Sequence, residues 1–364
     1  MKKLVAFLAL PLLFSTGLAH AEDPSRFRAP PIMKQALANH VQPAYAAFEQ
    51  SASNLEKTTT ALCAEASSEG LSKARQDFAG VVDAWSRIEW LRTGPVMAEN
   101  RLERILFYPD RKGTGLKQVQ RAIAGKDNAV TDVSLLAGGS VAVQGLGSIE
   151  YLLFGSGSEV LAEEPQTHRC RYARAVASNL HAISTQVSKA WSDGTPLATA
   201  FTEPAPDNPL FRDGREALNL ILGTMIHGLE AVRDIRIGSF LQADGNDRPL
   251  VAIYRRSGLT MRSIAANLEG LKSLFDDSDF QYALSAEGAH FADKVRFEFA
   301  QSIHTAKVLA EWPDGDIAAL LADERQRQKL IYLQLSIRYV METLNNEIAP
   351  SAGLAAGFSF GDGD

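Results

Sequence analysis

Few residues in this chain combine type and spacing in a way that suggests chemistry, and the most distinctive lie in Gln144-Gly-Leu-Gly-Ser-Ile-Glu-Tyr-Leu-Leu-Phe-Gly155. A single carboxylate, Glu150, sits here among apolar neighbours, preceded by Gly145 and Gly147. Glycine inside a helix costs about 1 kcal/mol relative to alanine, so two of them point either to close backbone packing or to room for a ligand beside Glu150. The plainer alternative is that Glu150 pairs with an arginine in a helix interface. His227-Gly-Leu-Glu230 offers a second place, because residues three apart share a helix face and an imidazole and a carboxylate there could reach one ion. His290-Phe-Ala-Asp293 repeats that spacing and shows how readily it arises without a site.

Two further clusters carry polar capacity. Trp85-Ser-Arg-Ile-Glu-Trp-Leu-Arg92 sets Glu89 and Arg92 on one helical face beside two tryptophans, and Glu99-Asn100-Arg-Leu-Glu-Arg104 follows shortly after. These residues could form the wall of a cleft facing Glu150; the alternative is ion pairing with tryptophan packing in a bundle core. Arg255 and Arg256, just before a helix start, could clamp an anion or pair with surface carboxylates.

Hydrolytic and phosphate-binding chemistry finds little support. A catalytic zinc usually needs three protein ligands, an open position and a general base. The chain has no HExxH, and its seven histidines are scattered singly. No Gly-x-Ser-x-Gly elbow is present, Lys112-Gly-Thr-Gly115 lacks P-loop spacing, and Gly145-x-Gly147 lacks the third glycine of a dinucleotide fold.

The elements that must position these residues read as helices almost throughout, with no sustained alternation of the β kind. Helices are expected over 33–64 (with a kink at Pro43), 71–91, 142–154, 171–191, 213–235, 260–275, 288–309 and 316–348, with shorter ones at 117–124 and 132–136. Loops rich in Gly and Pro fall at 108–115, 202–209 and 242–249. The second of these is the expected domain boundary, separating bundles at 22–201 and 210–348. Residues 349–364, ending in a Gly-rich acidic stretch, read as a disordered tail. Ala52-Ser-Asn-Leu-Glu-Lys resembles Ala265-Ala-Asn-Leu-Glu-Gly, which is open to duplication or to chance.

Residues 1–21 have the form of a cleavable secretory signal: Lys2 and Lys3, an apolar core from Leu4 to Phe14, and Ala19-His-Ala21 before the expected mature start at Glu22. That core is too short for a membrane span, no cysteine follows it to carry a lipid, and no transmembrane segment is expected in the mature chain. Of 364 residues 46% are hydrophobic, and the formal charge of −6 becomes −8 once the two signal lysines are lost. Mild acidity argues against nucleic acid as partner and is compatible with cations. In an exported chain the two cysteines, Cys63 and Cys170, read first as a disulfide, with two buried thiols as the alternative.

The chain resembles the imelysin family of bacterial envelope proteins, whose hallmark is Gly-x-His-x-x-Glu on a helix before an apolar stretch. Gly145-Leu-Gly147-Ser-Ile-Glu150 matches that frame at the first glycine and the glutamate. The likeness continues through Arg92-Thr-Gly-Pro95, Phe107-Tyr-Pro-Asp110, Gly115-Leu-Lys-Gln-Val-Gln120, Arg169-Cys-Arg-Tyr172, Arg255-Arg-Ser-Gly258 and Asn267-Leu-Glu269. It implies an all-α fold of two packed helical bundles, a periplasmic location, and a link either to iron or other metal uptake or to metallopeptidase activity. The family's histidine falls at Gly147, which has no side chain to bind a metal. The expectation is therefore a non-catalytic binding protein for a metal ion or small ligand, its cleft lined by Gly147, Glu150, Glu89, Arg92, Asn100 and Arg255. Two rivals stand beside it: an atypical metallopeptidase with a metal on Glu150, His227 and Glu230, and a scaffold for another envelope protein.

Overall fold

The structure, a computed structural model, describes residues 25–354, so the expected signal (1–21) and the last ten residues of the expected tail lie outside the described residues. Within them every regular element is a helix. The described residues begin with Ser25–Gln35 (α1) and Gln42–Ala64 (α2), joined through a π-helical turn at Ala36–Val41 whose flanking residues keep right-handed backbone. The long helix expected here therefore runs through. Pro43 has no N–H to give and would crowd the preceding turn, and the widened turn just before it places the lost bond where the ladder is already irregular.

Ser68–Ile88 (α3) follows, its first turn capped by the Ser67 side chain accepting from the Gly70 N–H. Short helices Arg101–Ile105 (α4), Thr114–Ala124 (α5) and Val133–Gly138 (α6) lead to Gly145–Phe154 (α7). Val160–Glu163 (α8), His168–Ala190 (α9) and Pro196–Thr202 (α10) close the first half. The second half holds Gly214–Ala231 (α11), Thr260–Asp277 (α12), Phe291–Ala310 (α13), Ile317–Ala322 (α14), Glu324–Thr343 (α15) and Ala349–Ser351 (α16). The single helix expected over 316–348 is split because Asp323 takes an extended backbone and its carboxylate caps the Gln326 N–H, starting a new helix. The chain is also ordered further than expected: α16 and the buried Leu354 lie within the segment assigned to the tail, because Ala349 and Leu354 have apolar surface to bury.

Helix α2 packs against α3 and α9, and α7 packs on α9; in the other half α12 packs with α13, which packs on α15. The halves meet mainly along α3 and α12, while α1 lies chiefly against α11, so the first described helix packs with the second half. One continuous apolar core runs through both halves. No described helix is long and apolar enough to cross a membrane.

Cys63 at the end of α2 and Cys170 at the start of α9 are joined in a disulfide, with Cα atoms 5.5 Å apart and 107 residues between them in sequence. Closing so long a loop restricts the unfolded chain, which in the entropic account is worth about 4 to 5 kcal/mol. The double substitution Cys63→Ser with Cys170→Ser should therefore lower unfolding free energy by about 3 to 5 kcal/mol in urea titration, and reductant should do the same to the wild type. A change below about 1 kcal/mol would show that the bridge adds little.

Candidate functional site

Helix α7 carries Glu150, and both ends of the helix are tied down by buried polar side chains. At its start Gly145 has φ +69°, and a Cβ there would lie 2.3 Å from the Ile105 carbonyl oxygen, so the close pass of α4 requires glycine. The preceding Gln144 is buried and accepts from Arg104 Nε (3.2 Å) and Asn179 Nδ2 (2.9 Å) through Oε1. At the other end the Arg169 guanidinium donates to the carbonyls of Leu152 (2.7 Å), Tyr151 (2.6 Å), Gly155 (3.1 Å) and Ser156 (2.7 Å). A cation on the last carbonyls of a helix complements its dipole and fills acceptors that would otherwise be orphaned.

Glu150 is 5% exposed. Its Oε1 accepts three hydrogen bonds from the loop before α12: from the Arg256 N–H (2.9 Å), the Ser257 N–H (3.0 Å) and the Ser257 hydroxyl (3.0 Å). The loop can aim two successive N–H groups at one oxygen because Tyr254 takes a left-handed backbone, φ 53°, which a bulky residue seldom adopts. Gly258, φ +71°, then turns the chain against the Asp314–Gly315 loop, where a Cβ would meet the Asp314 carbonyl oxygen at 2.3 Å. Burial pushes the Glu150 carboxyl above the usual carboxylate range, while these hydrogen bonds and the Arg256 charge pull the other way without cancelling it.

Above Glu150 lies a cavity of about 240 Å³. Gly147 stands on its wall, exposed, and a Cβ added there meets nothing within 4 Å. The two glycines of the motif thus serve different ends: Gly145 permits backbone contact, and Gly147 leaves space. Arg255 also lines the cavity, joined by Tyr108, Asp110, Arg111, Tyr254 and Arg256.

Other expected wall residues are elsewhere. Glu89 is buried, pairs with Arg236 at 2.5 Å and accepts from Asn267 Nδ2 at 2.6 Å. The Arg236 guanidinium lies over the rings of Tyr108 (4.6 Å) and Trp90 (5.5 Å), so Glu89 is the core ion pair of the tryptophan cluster rather than a wall facing Glu150. Arg92 covers Trp90 and lines a second cavity of about 590 Å³ together with His227 and Glu230. Asn100 is an exposed residue in left-handed conformation before α4, a place asparagine tolerates well, and it lines neither cavity.

The metal set of Glu150, His227 and Glu230 is likewise not assembled. His227 Nδ1 and Glu230 Oε2 are 3.6 Å apart, one helical turn from each other, but Glu150 belongs to the other cavity. Among the described residues no group of three His, Cys, Asp or Glu is placed to hold a metal ion. The Glu150 cavity itself does not suit a bare cation: Glu150 Oε1 is committed to three donors, position 147 has no donor atom, and three arginines share the space. Sequence reasoning missed Tyr108, Arg111 and Tyr254, whose only signals were the Phe107-Tyr-Pro-Asp110 stretch and proximity to Arg255 and Arg256.

An all-α protein of two packed bundles, with a buried glutamate beside a glycine-opened cavity, is the class that this fold and site define. The sequence profile of the imelysin family matches residues 41–344, and the chain belongs to that family. No curated protein sequence matches it. Among solved structures it is similar to an imelysin-like protein from Psychrobacter arcticum 273-4, with 19% identity over 92% of this chain and 98% of that one and a TM-score of 0.74. It is also similar to a candidate iron-regulated protein A precursor from Parabacteroides distasonis ATCC 8503, with 12% identity over 90% of this chain and 97% of that one and a TM-score of 0.71. At such identities the likeness is one of fold.

Two outcomes follow from the geometry. Gly145→Ala should cost about 2 to 4 kcal/mol through overlap and left-handed strain, whereas Gly147→Ala should leave stability unchanged or raise it by up to about 1 kcal/mol; urea titration of both variants measures the contrast, and equal effects would refute it. The second concerns pH. A carboxyl whose pKa is raised on folding holds its proton more tightly in the native state, so stability is lost as pH rises from the usual value near 4.5 through the raised one. Glu150→Gln keeps an acceptor for the loop and cannot ionise, so its melting temperature relative to wild type should increase between pH 4 and pH 8. A gap that shrinks with pH would mean the loop favours the ionised carboxylate.

Proposed function

We propose that this chain is an exported, non-catalytic binding protein of the bacterial envelope whose ligand sits in the cavity over Glu150. The observation that carries the reading is the pairing of an anchored, buried carboxyl with an open wall at Gly147 on a helix fixed at both ends. A preorganised cavity with a few convergent polar groups is what small-ligand recognition needs. The secretory form of residues 1–21 supports a periplasmic location. A link to iron is supported by the name of the Parabacteroides protein; the donors around Glu150 favour a ligand other than the bare ion.

Peptide hydrolysis is the weaker reading on chemical grounds. One serine, histidine and aspartate do meet: His40 Nδ1 lies 3.1 Å from Ser273 Oγ, and that hydroxyl also donates to Asp277. The serine stands between the other two, however, so the carboxylate does not orient the imidazole as a nucleophile's base requires. Burial lowers the His40 pKa to about 4 against the opposing Asp277 charge, which makes it a weak base.

Filling the cavity tests the proposal. Gly147→Phe should leave the melting temperature within a few degrees of wild type, because the ring enters open space. It should also abolish co-purification of any small molecule seen by native mass spectrometry of wild type isolated from periplasm. Wild type isolated without bound solute, or solute retained by the variant, would count against the site. Casein hydrolysis lost on adding chelator and in His227→Ala would instead establish the peptidase.

A further inference from the structure

The cavity over Glu150 holds an imbalance of charge. Its two acids are already occupied by backbone donors: Glu150 by the Arg256 and Ser257 N–H groups, and Asp110 by the first N–H groups of α5, Thr114 (2.6 Å) and Gly115 (2.8 Å). Its three cations are not so matched. Arg255 gives Nε to the Leu250 carbonyl, Arg256 lies over the Tyr151 ring, and no carboxylate among the described residues is within ion-pair distance of Arg111, Arg255 or Arg256. Burial first, and then the neighbouring Arg256 charge, hold the Arg255 guanidinium below its usual range, and the Glu150 charge opposes this without cancelling it.

A second observation points the same way. Tyr254 lines the cavity, is 3% exposed, and its hydroxyl has no hydrogen-bond partner in the protein. A buried hydroxyl left unpartnered costs free energy, which an acceptor reaching it from the cavity would recover. Guanidinium groups present planar forks of N–H donors that match the oxygens of carboxylates and phosphates.

Resting on the binding-protein reading above, we propose that the cavity takes the oxyanion group of a small ligand, a carboxylate or phosphate, held by Arg111, Arg255 and Arg256.

The test is calorimetric titration of the mature chain with sodium citrate and with sodium phosphate, each against sodium chloride of matched ionic strength. The expected result is saturable binding of at least one of them, weakened tenfold or more in Arg111→Gln and Arg255→Gln and unchanged in Arg325→Gln, an exposed residue of α15. Preference for citrate over phosphate identifies a carboxylate ligand, and the reverse a phosphate. A flat response to both, or binding indifferent to Arg111→Gln and Arg255→Gln, overturns the anion proposal. Iron(II) or zinc binding that Gly147→Phe blocks, alongside a flat anion response, would overturn it while leaving the binding-protein reading standing.

Discussion

The carboxylate of Glu150 must be buried and must also be satisfied, and much of the molecule's centre is arranged around that demand. An acid side chain removed from water is tolerated when it accepts several hydrogen bonds. Here all the bonds come from the opposite half of the chain, through a loop that takes a left-handed turn at Tyr254 and another at Gly258 to present them. The contact is therefore local chemistry and long-range architecture together: it joins α7 of the first bundle to the start of α12 in the second. The Arg169 cap and the Gln144–Arg104–Asn179 cluster keep α7 from sliding relative to that loop.

A second buried polar contact runs parallel to the first. Glu89, Arg236 and Asn267 link α3, the π turn after α11, and α12, with Trp90 and Tyr108 stacked on the guanidinium. Buried ion pairs are weak contributors to stability but fix registry, because removing either partner strands the other. The cavity over Glu150 and the one beside His227 and Glu230 are lined by different residues. Side chains that a sequence reading would assemble into one metal site are thus kept apart.

At position 147 glycine decides what the cavity wall can offer. An imidazole three residues before Glu150 would stand on the cavity wall and supply a metal donor; glycine leaves volume instead. The polar lining includes three guanidinium groups, Arg111, Arg255 and Arg256. A fold of this kind hosts differing chemistry through a handful of positions on a fixed scaffold.

The helical character, the approximate helix positions, the family and the disulfide partners were legible in the sequence, because each is written in local signals: period, turn residues, motif spacing and cysteine count. The charge of Arg255 and Arg256 can be read in the sequence, but not that Arg255 binds the Leu250 carbonyl and Arg256 covers the Tyr151 ring. What only the tertiary structure decided was which residues share a cavity. Glu89 and Glu150 are both carboxylates amid apolar neighbours, and nothing local separates a core ion pair from a cavity floor. The difference lies in Arg236 reaching one and the Tyr254 to Gly258 loop reaching the other, contacts between residues more than a hundred positions apart, which packing sets and one-dimensional spacing does not encode.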